Sequence, residues 1–136
     1  MRRVMTVLAV VGMAIGCQSD DVHRRVMVIV PAEIATVPSG VLRLGLWAYD
    51  PRLADGPALS VDAQELRFTH VQGTQTAVMM AVGGTVPAGA QIYISVRGFE
   101  IRPDGERYIL WDGLEGTAAP TTIVMRAVPT PPTLGQ

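Results

Sequence analysis

The chain has little cysteine, little histidine and no lysine. Its 136 residues include one cysteine, Cys17, two histidines, His23 and His70, and no lysine, so that all eleven basic residues are arginine. A single cysteine excludes a disulfide within the chain. Zinc sites use three or four converging histidine, cysteine or carboxylate ligands, and two histidines far apart in sequence do not supply such a set. We therefore expect no metal and no cofactor.

The chain also lacks a strong charge of either sign. The formal net charge is −1, and removal of residues 1–16 leaves nine arginines against twelve acids, a charge of −3. A weakly acidic domain has no electrostatic footprint for nucleic acid. We therefore expect a partner other than nucleic acid.

No apolar run is long enough to span a bilayer. The longest, Val4 to Ile15, has twelve residues and follows Arg2 and Arg3, whereas a membrane-spanning helix needs about 20. This pattern is typical of a cleaved export signal over residues 1–16. One domain is expected for the remaining length.

The end of that leader resembles a lipobox. In the segment Ala14-Ile15-Gly16-Cys17, small residues precede the cysteine, although Ala14 stands where leucine is commonest. The resemblance implies that Cys17 receives a diacylglycerol and becomes the first residue of the mature protein. Two or three acyl chains anchor stably where one binds reversibly. Ordinary cleavage after Gly16, which leaves a free thiol, is the alternative.

The residues after Cys17 predict where such an anchor would sit. Residues 17–21 comprise the cysteine and a polar tether. Gln18 is not the aspartate that resembles an inner-membrane retention signal. This favours the outer membrane, on its periplasmic face, over the inner membrane of a bacterial envelope.

Residues 22–128 alternate between apolar and polar positions in short runs separated by glycine, proline and aspartate, the pattern of strands. The spacing predicts an all-β, about seven-stranded antiparallel β-sandwich of immunoglobulin or transthyretin type. Ser60 could instead begin a short helical turn. Residues 129–136 are proline-rich and predicted to be disordered. The seven runs are 22–30, 41–49, 64–71, 76–82, 91–99, 107–111 and 121–128.

The layout of the mature chain resembles the YbaY/YscW-type small bacterial lipoproteins, which include pilotin-like chaperones of type III secretion. The resemblance rests on the segments 37–46 (VPSGVLRLGL), 53–58 (LADGPA) and 86–96 (VPAGAQIYISV). It implies a lipid-anchored sandwich that in some members escorts a secretin, with no catalytic residues to transfer. Trp47-Ala48-Tyr49 is more aromatic than the corresponding family strand, and Gly45 interrupts it.

Catalytic patterns are weak. No serine lies in a G-x-S-x-G context, and His70 shares a strand face with Leu66 and Phe68, which favours a structural histidine. The acids in the predicted connections do not match a calcium loop, and acids in turns usually bond their own backbone. Nothing selects a carboxylate pair for glycoside hydrolysis. We therefore expect a protein that is not an enzyme, with a small hydrolase as the third hypothesis.

Aromatic side chains are the best candidates for recognition. By strand parity Trp47 and Tyr49 lie opposite the aliphatic Leu42, Leu44 and Leu46, so Trp47, Tyr49 and Trp111 form the candidate binding surface. They could instead cover the second face of the sheet or fill the ends of the sandwich, and an exposed edge strand offers another binding mode. The leading hypothesis is a lipid-anchored β-sandwich that binds or chaperones another envelope protein. A glycan-binding module is the alternative.

Overall fold

A computed structural model describes residues 19–53, 56–114 and 119–129. The part of the chain that it describes contains eight strands and no helix, and hence no helix long and apolar enough to cross a membrane. The predicted leader, Cys17 and most of the proline-rich tail lie outside these residues. The strands are β1 (Ser19–Val30), β2 (Val37–Tyr49), β3 (Leu59–His70), β4 (Thr76–Pro87), β5 (Gln91–Arg102), β6 (Gly105–Trp111), β7 (Thr122–Val124) and β8 (Arg126–Ala127).

The strands form two sheets, so the prediction of an all-β sandwich is confirmed. The three-stranded sheet has the order β4-β1-β7, and the five-stranded sheet has the order β3-β2-β5-β6-β8. All pairs are antiparallel except β1 with β7, which is parallel. The one parallel pair is a detail that the sequence pattern did not predict.

The last predicted run, 121–128, is two strands rather than one. Met125 separates them: its backbone N–H donates to the Ile29 carbonyl at 2.8 Å, and its side chain is buried in the core. Residues before Met125 pair with β1 and residues after it pair with β6. The chain therefore crosses from one sheet to the other at this residue.

Several strands are longer than predicted at their ends. β1 begins at Ser19, inside the segment assigned to a polar tether, because it pairs with β4 all the way to Pro87. β3 begins at Leu59, so the possible helical turn at Ser60 does not occur. Continuous pairing of this segment with β2, through a register shift near Trp47, holds it as a strand.

The core lies between the two sheets and follows the predicted alternation. Each buried aliphatic side chain contributes about 1.5–3 kcal/mol relative to an exposed one. On each of the five longest strands, β1 to β5, the buried residues include alternate positions of one face: Val26, Val28, Val30, Leu42, Leu44, Leu46, Ala48, Phe68, His70, Met80, Val82, Ile94 and Val96.

His70 is the buried polar residue among the described residues of this core, at 1% exposure. Its Nε2 lies 3.1 Å from the Ile34 carbonyl, and its Nδ1 lies 2.7 Å from the Thr76 hydroxyl oxygen. A carbonyl can only accept, so Nε2 donates to Ile34, and in the neutral ring Nδ1 then accepts from the Thr76 hydroxyl. The prediction that His70 is structural is confirmed, because both ring nitrogens are occupied.

Candidate binding surface

Aromatic side chains are concentrated on one surface, the outer face of the five-stranded sheet. Of the seven aromatic residues in the chain, Phe68 is in the core. Cross-strand partners point to the same side of a sheet, and the register pairs Trp47 with Tyr93, Phe99 with Tyr108 and Arg97 with Trp111. We call this outer surface the aromatic face; its aromatic members are Trp47, Tyr49, Tyr93, Phe99, Tyr108 and Trp111.

One half of the aromatic face is a cluster of three rings. Trp47 stacks on Tyr93 with ring centroids 6.1 Å apart and planes 10° apart, and Tyr49 tilts against Tyr93 at 6.0 Å. Two hydrogen bonds fix the polar atoms: the Trp47 indole N–H donates to the Ser95 hydroxyl at 3.1 Å, and the Tyr49 hydroxyl donates to the Gln91 side-chain carbonyl at 2.7 Å. All three rings are half-buried. The cluster is therefore preorganised and still reachable from solvent.

Gly45 makes room for the Trp47 indole. A Cβ at position 45 would lie 2.8 Å from the indole nitrogen of Trp47 and 3.4 Å from the Ser95 hydroxyl oxygen. The glycine that interrupts the sequence of β2 is thus the position over which the indole folds to reach Ser95. The contact of Gly45 with the Trp47 ring depends on side-chain conformation, which strand alternation does not predict.

The other half of the face combines rings with charge. Phe99 and Tyr108 are 5.4 Å apart, and the Arg43 guanidinium lies 4.8 Å above the Phe99 ring. Arg43 donates two hydrogen bonds to Glu106, at 2.7 and 2.8 Å, and a third to Glu65. The hydrogen bonds to Glu106 and, secondarily, to Glu65 raise the pKa of Arg43. The hydrogen bond from Arg43 lowers the pKa of Glu106. Arg43 thereby joins β2, β3 and β6 across the surface of β5.

Trp111 lies on the same face but not in the three-ring cluster. It pairs with Arg97 of β5, whose guanidinium lies 6.0 Å from the centre of the Tyr108 ring. A groove of about 270 Å³ runs between Tyr93, Arg97, Tyr108 and Trp111. The structure therefore brings Trp47 and Tyr49 together and connects them to Trp111 through Tyr93. Tyr93 is absent from the predicted binding surface, although it contacts both Trp47 and Tyr49.

The three-stranded sheet carries a second exposed apolar patch on its outer face. Met27 and Met79 are cross-strand partners, and Ile29 lies beside Val124 of β7. Met79 is 52% exposed and Val124 50%. We call these four residues, Met27, Ile29, Met79 and Val124, the methionine patch. It was not predicted as a site, and it is the alternative to the aromatic face as a surface for a protein partner.

Acidic side chains in the connections between strands were also candidates for a site. In residues 19–53, 56–114 and 119–129 no group of three or more histidine, cysteine or acidic side chains is placed to hold a metal. Asp50 and Asp112 accept backbone N–H groups two residues further along, from Arg52 and Leu114. The prediction that acids in turns bond their own backbone holds for these two.

Comparisons with known proteins give a fold and no family. No protein-family model matches the chain, and no curated protein sequence matches it. A solved structure does: an alternative pilotin from the type II secretion system of Vibrio cholerae, with a TM-score of 0.55 and 18% sequence identity. The match covers 82% of this chain and all of the pilotin chain. The chain has a fold similar to that of this pilotin. This similarity does not identify the YbaY/YscW type in particular.

Proposed function

We propose that this protein is a lipid-anchored accessory protein of the bacterial cell envelope that binds another envelope protein, as a pilotin does, through the aromatic face. The observation that carries the proposal is the placement of six of the seven aromatic residues on one outer sheet surface. Aromatic and arginine side chains dominate the energetics of protein interfaces. The fold shared with a secretion-system pilotin supports the same role.

The chemistry of the face fits a protein partner. The three-ring cluster of Trp47, Tyr49 and Tyr93 offers rigid apolar area, so that little side-chain entropy is lost on binding. Arg97, beside the groove at Trp111, supplies a donor for carbonyl or carboxylate groups at the rim. A surface with apolar rings at one end and arginine at the other suits an apolar segment flanked by acidic residues.

The anchor is tested by intact mass spectrometry of the protein purified from membranes. We expect the mass of a chain that begins at Cys17 and carries acyl groups, and a Cys17→Ala variant without that added mass. An unlipidated mass for both forms would overturn the anchor.

The partner is tested by capture from detergent-solubilised envelopes with the full lipidated chain as bait. We expect one protein in near-stoichiometric amount, with recovery about tenfold lower for Trp47→Ala and for Trp111→Ala, since tenfold corresponds to about 1.4 kcal/mol. Met79→Ala, on the other sheet, is the matched control. Loss of the partner with Met79→Ala alone would move the site to the methionine patch.

A glycan-binding module is the second candidate, favoured by the nearly parallel Trp47 and Tyr93 rings. Binding on a glycan array that is lost in Trp47→Ala would support it. Failure to bind, or binding unaffected in the Trp47→Ala, Tyr49→Ala and Trp111→Ala variants, would remove it.

A further inference from the structure

The start of β1 fixes which end of the sandwich lies nearest to the anchor. Ser19 pairs with Pro87, the last residue of β4. The β4 to β5 turn at 88–90 is at the same end, and so are Tyr49 and Gln91, which pair where β2 ends and β5 begins. The turn at 72–74, between β3 and β4, and the turn before Gly105, between β5 and β6, lie at the opposite end.

We propose that this end of the sandwich, at Ser19, Leu53, Leu59 and Ala88, rests directly on the lipid surface; the inference depends on the anchor proposed above. Ser19 is two residues after Cys17, and two residues span at most about 7 Å. Because β1 starts at Ser19, inside the predicted tether, only Gln18 lies between the sandwich and the residue proposed to be acylated. The near end is therefore held at the level of the lipid headgroups.

The chemistry of that end suits a lipid surface. Leu53 and Leu59 are 59% and 55% exposed, and Leu59 lines a shallow cavity of about 260 Å³ whose walls are mostly apolar. Arg52, at the same cavity, extends into solvent with 86% of its side chain exposed. Tyr49 also lines the cavity, and tyrosine is enriched at membrane interfaces. The apolar residues that form its walls include Ala48, Pro57, Leu59, Pro87, Ala88 and Ala90.

Charge does not drive this contact. Asp20 and Asp21 are exposed near the start of β1, and Arg52 is paired with Asp50 at 2.9 Å. The described residues of this end therefore carry no excess of positive charge to attract anionic lipids. The contact is apolar and interfacial, so zwitterionic phosphatidylcholine vesicles are the appropriate surface for a test.

The orientation is tested with thiol-attached fluorophores on the full lipidated chain. The sulfur of an acylated Cys17 is blocked, so Ala88→Cys and Thr74→Cys each provide a single reactive thiol, at the near end and at the far end. Both positions are exposed turn residues. The ends are about 36 Å apart, since β4 between them has 12 residues and the rise from each residue to the next is about 3.3 Å. The labelled proteins are placed in phosphatidylcholine vesicles that contain a headgroup-nitroxide lipid as quencher.

We expect quenching at Ala88→Cys to be at least threefold greater than at Thr74→Cys. Equal quenching in protein whose mass confirms acylation would overturn the orientation and leave the anchor intact. An unlipidated mass would overturn the anchor and the orientation with it. Stronger quenching at Thr74→Cys would also overturn the proposal, because it would place the far end on the membrane.

Discussion

The carboxylate of Asp62 accepts the backbone N–H of Gly83 at 3.0 Å, which joins an edge strand of one sheet to an edge strand of the other. Asp62 lies on β3 of the five-stranded sheet and Gly83 on β4 of the three-stranded sheet. An exposed edge N–H is a template for pairing with another chain, and a side-chain acceptor covers it. On this side the sandwich is thus closed by a polar contact between the sheets.

Loss of the Asp62 acceptor should destabilise the sandwich. In Asp62→Ala the Gly83 N–H loses its partner, and we expect the free energy of unfolding to fall by about 1 kcal/mol, the usual contribution of one hydrogen bond. Urea denaturation followed by tryptophan fluorescence measures this change. Asp62→Asn keeps an acceptor oxygen and should lose less. Identical midpoints for wild type and Asp62→Ala would show that the contact contributes nothing.

The same carboxylate predicts a pH dependence. The Gly83 N–H, and secondarily the Gln64 side chain, lower the pKa of Asp62 from its ordinary value of 3.8. A lowered pKa in the folded state means that the ionised carboxylate stabilises the fold above the unfolded-state pKa. That contribution is lost as the pH falls through the folded-state value.

Asp62→Asn, which cannot titrate there, is the reference for this effect. The advantage of wild type over Asp62→Asn in free energy of unfolding should be full at about pH 6 and should shrink as the pH falls below about 4. Urea titrations of both proteins across this range measure it. A difference that stays constant with pH would contradict the role of the Gly83 contact.

The alternation of side chains predicted the faces of the sheets but not the links between them. The burial of Val26, Val28 and Leu44 on one face of their strands follows from the sequence, because period-two patterning is a local property of a strand. The crossing at Met125 and the contact from Asp62 to Gly83 depend on which strands become neighbours. Strand order is a long-range property that alternation does not contain.

In the candidate site, too, local alternation predicted which residues point outward, and strand order determined which of them meet. The outward parity of Trp47 and Tyr49 followed from Leu44 and Leu46, which are buried on the opposite side of β2. The central role of Tyr93 required the register between β2 and β5, in which it faces Trp47. Its outward parity on β5 was the available signal, and register is what turned that signal into a contact.

His70 and Thr76 should behave as a coupled pair. In His70→Leu the Ile34 carbonyl and the Thr76 hydroxyl both lose a partner within the core, and we expect a loss of about 1–3 kcal/mol in the free energy of unfolding. Thr76→Val removes only the hydroxyl. A double-mutant cycle from urea denaturation should give a coupling of about 1 kcal/mol. Additive effects would show that the 2.7 Å contact is energetically silent.

Gly45→Ala should displace the Trp47 indole while leaving the fold intact. The added methyl meets the indole nitrogen, which is the far part of a side chain able to turn outward, so the cost to stability should stay within about 1 kcal/mol. The indole then loses its bond to Ser95 and its stack on Tyr93. In a Trp111→Phe background, Trp47 is the remaining tryptophan and its emission should shift to longer wavelength.

The same variant separates fold from recognition. If the three-ring cluster binds the partner, Gly45→Ala should lower capture of the envelope protein nearly as much as Trp47→Ala, although no ring has been removed. Gly73→Ala is a control in a turn at the far end, where a Cβ meets no atom within 4 Å and only the backbone, at a φ of 99°, is strained. Unchanged capture together with a shifted emission would show that the position of the Trp47 indole is not what the partner recognises.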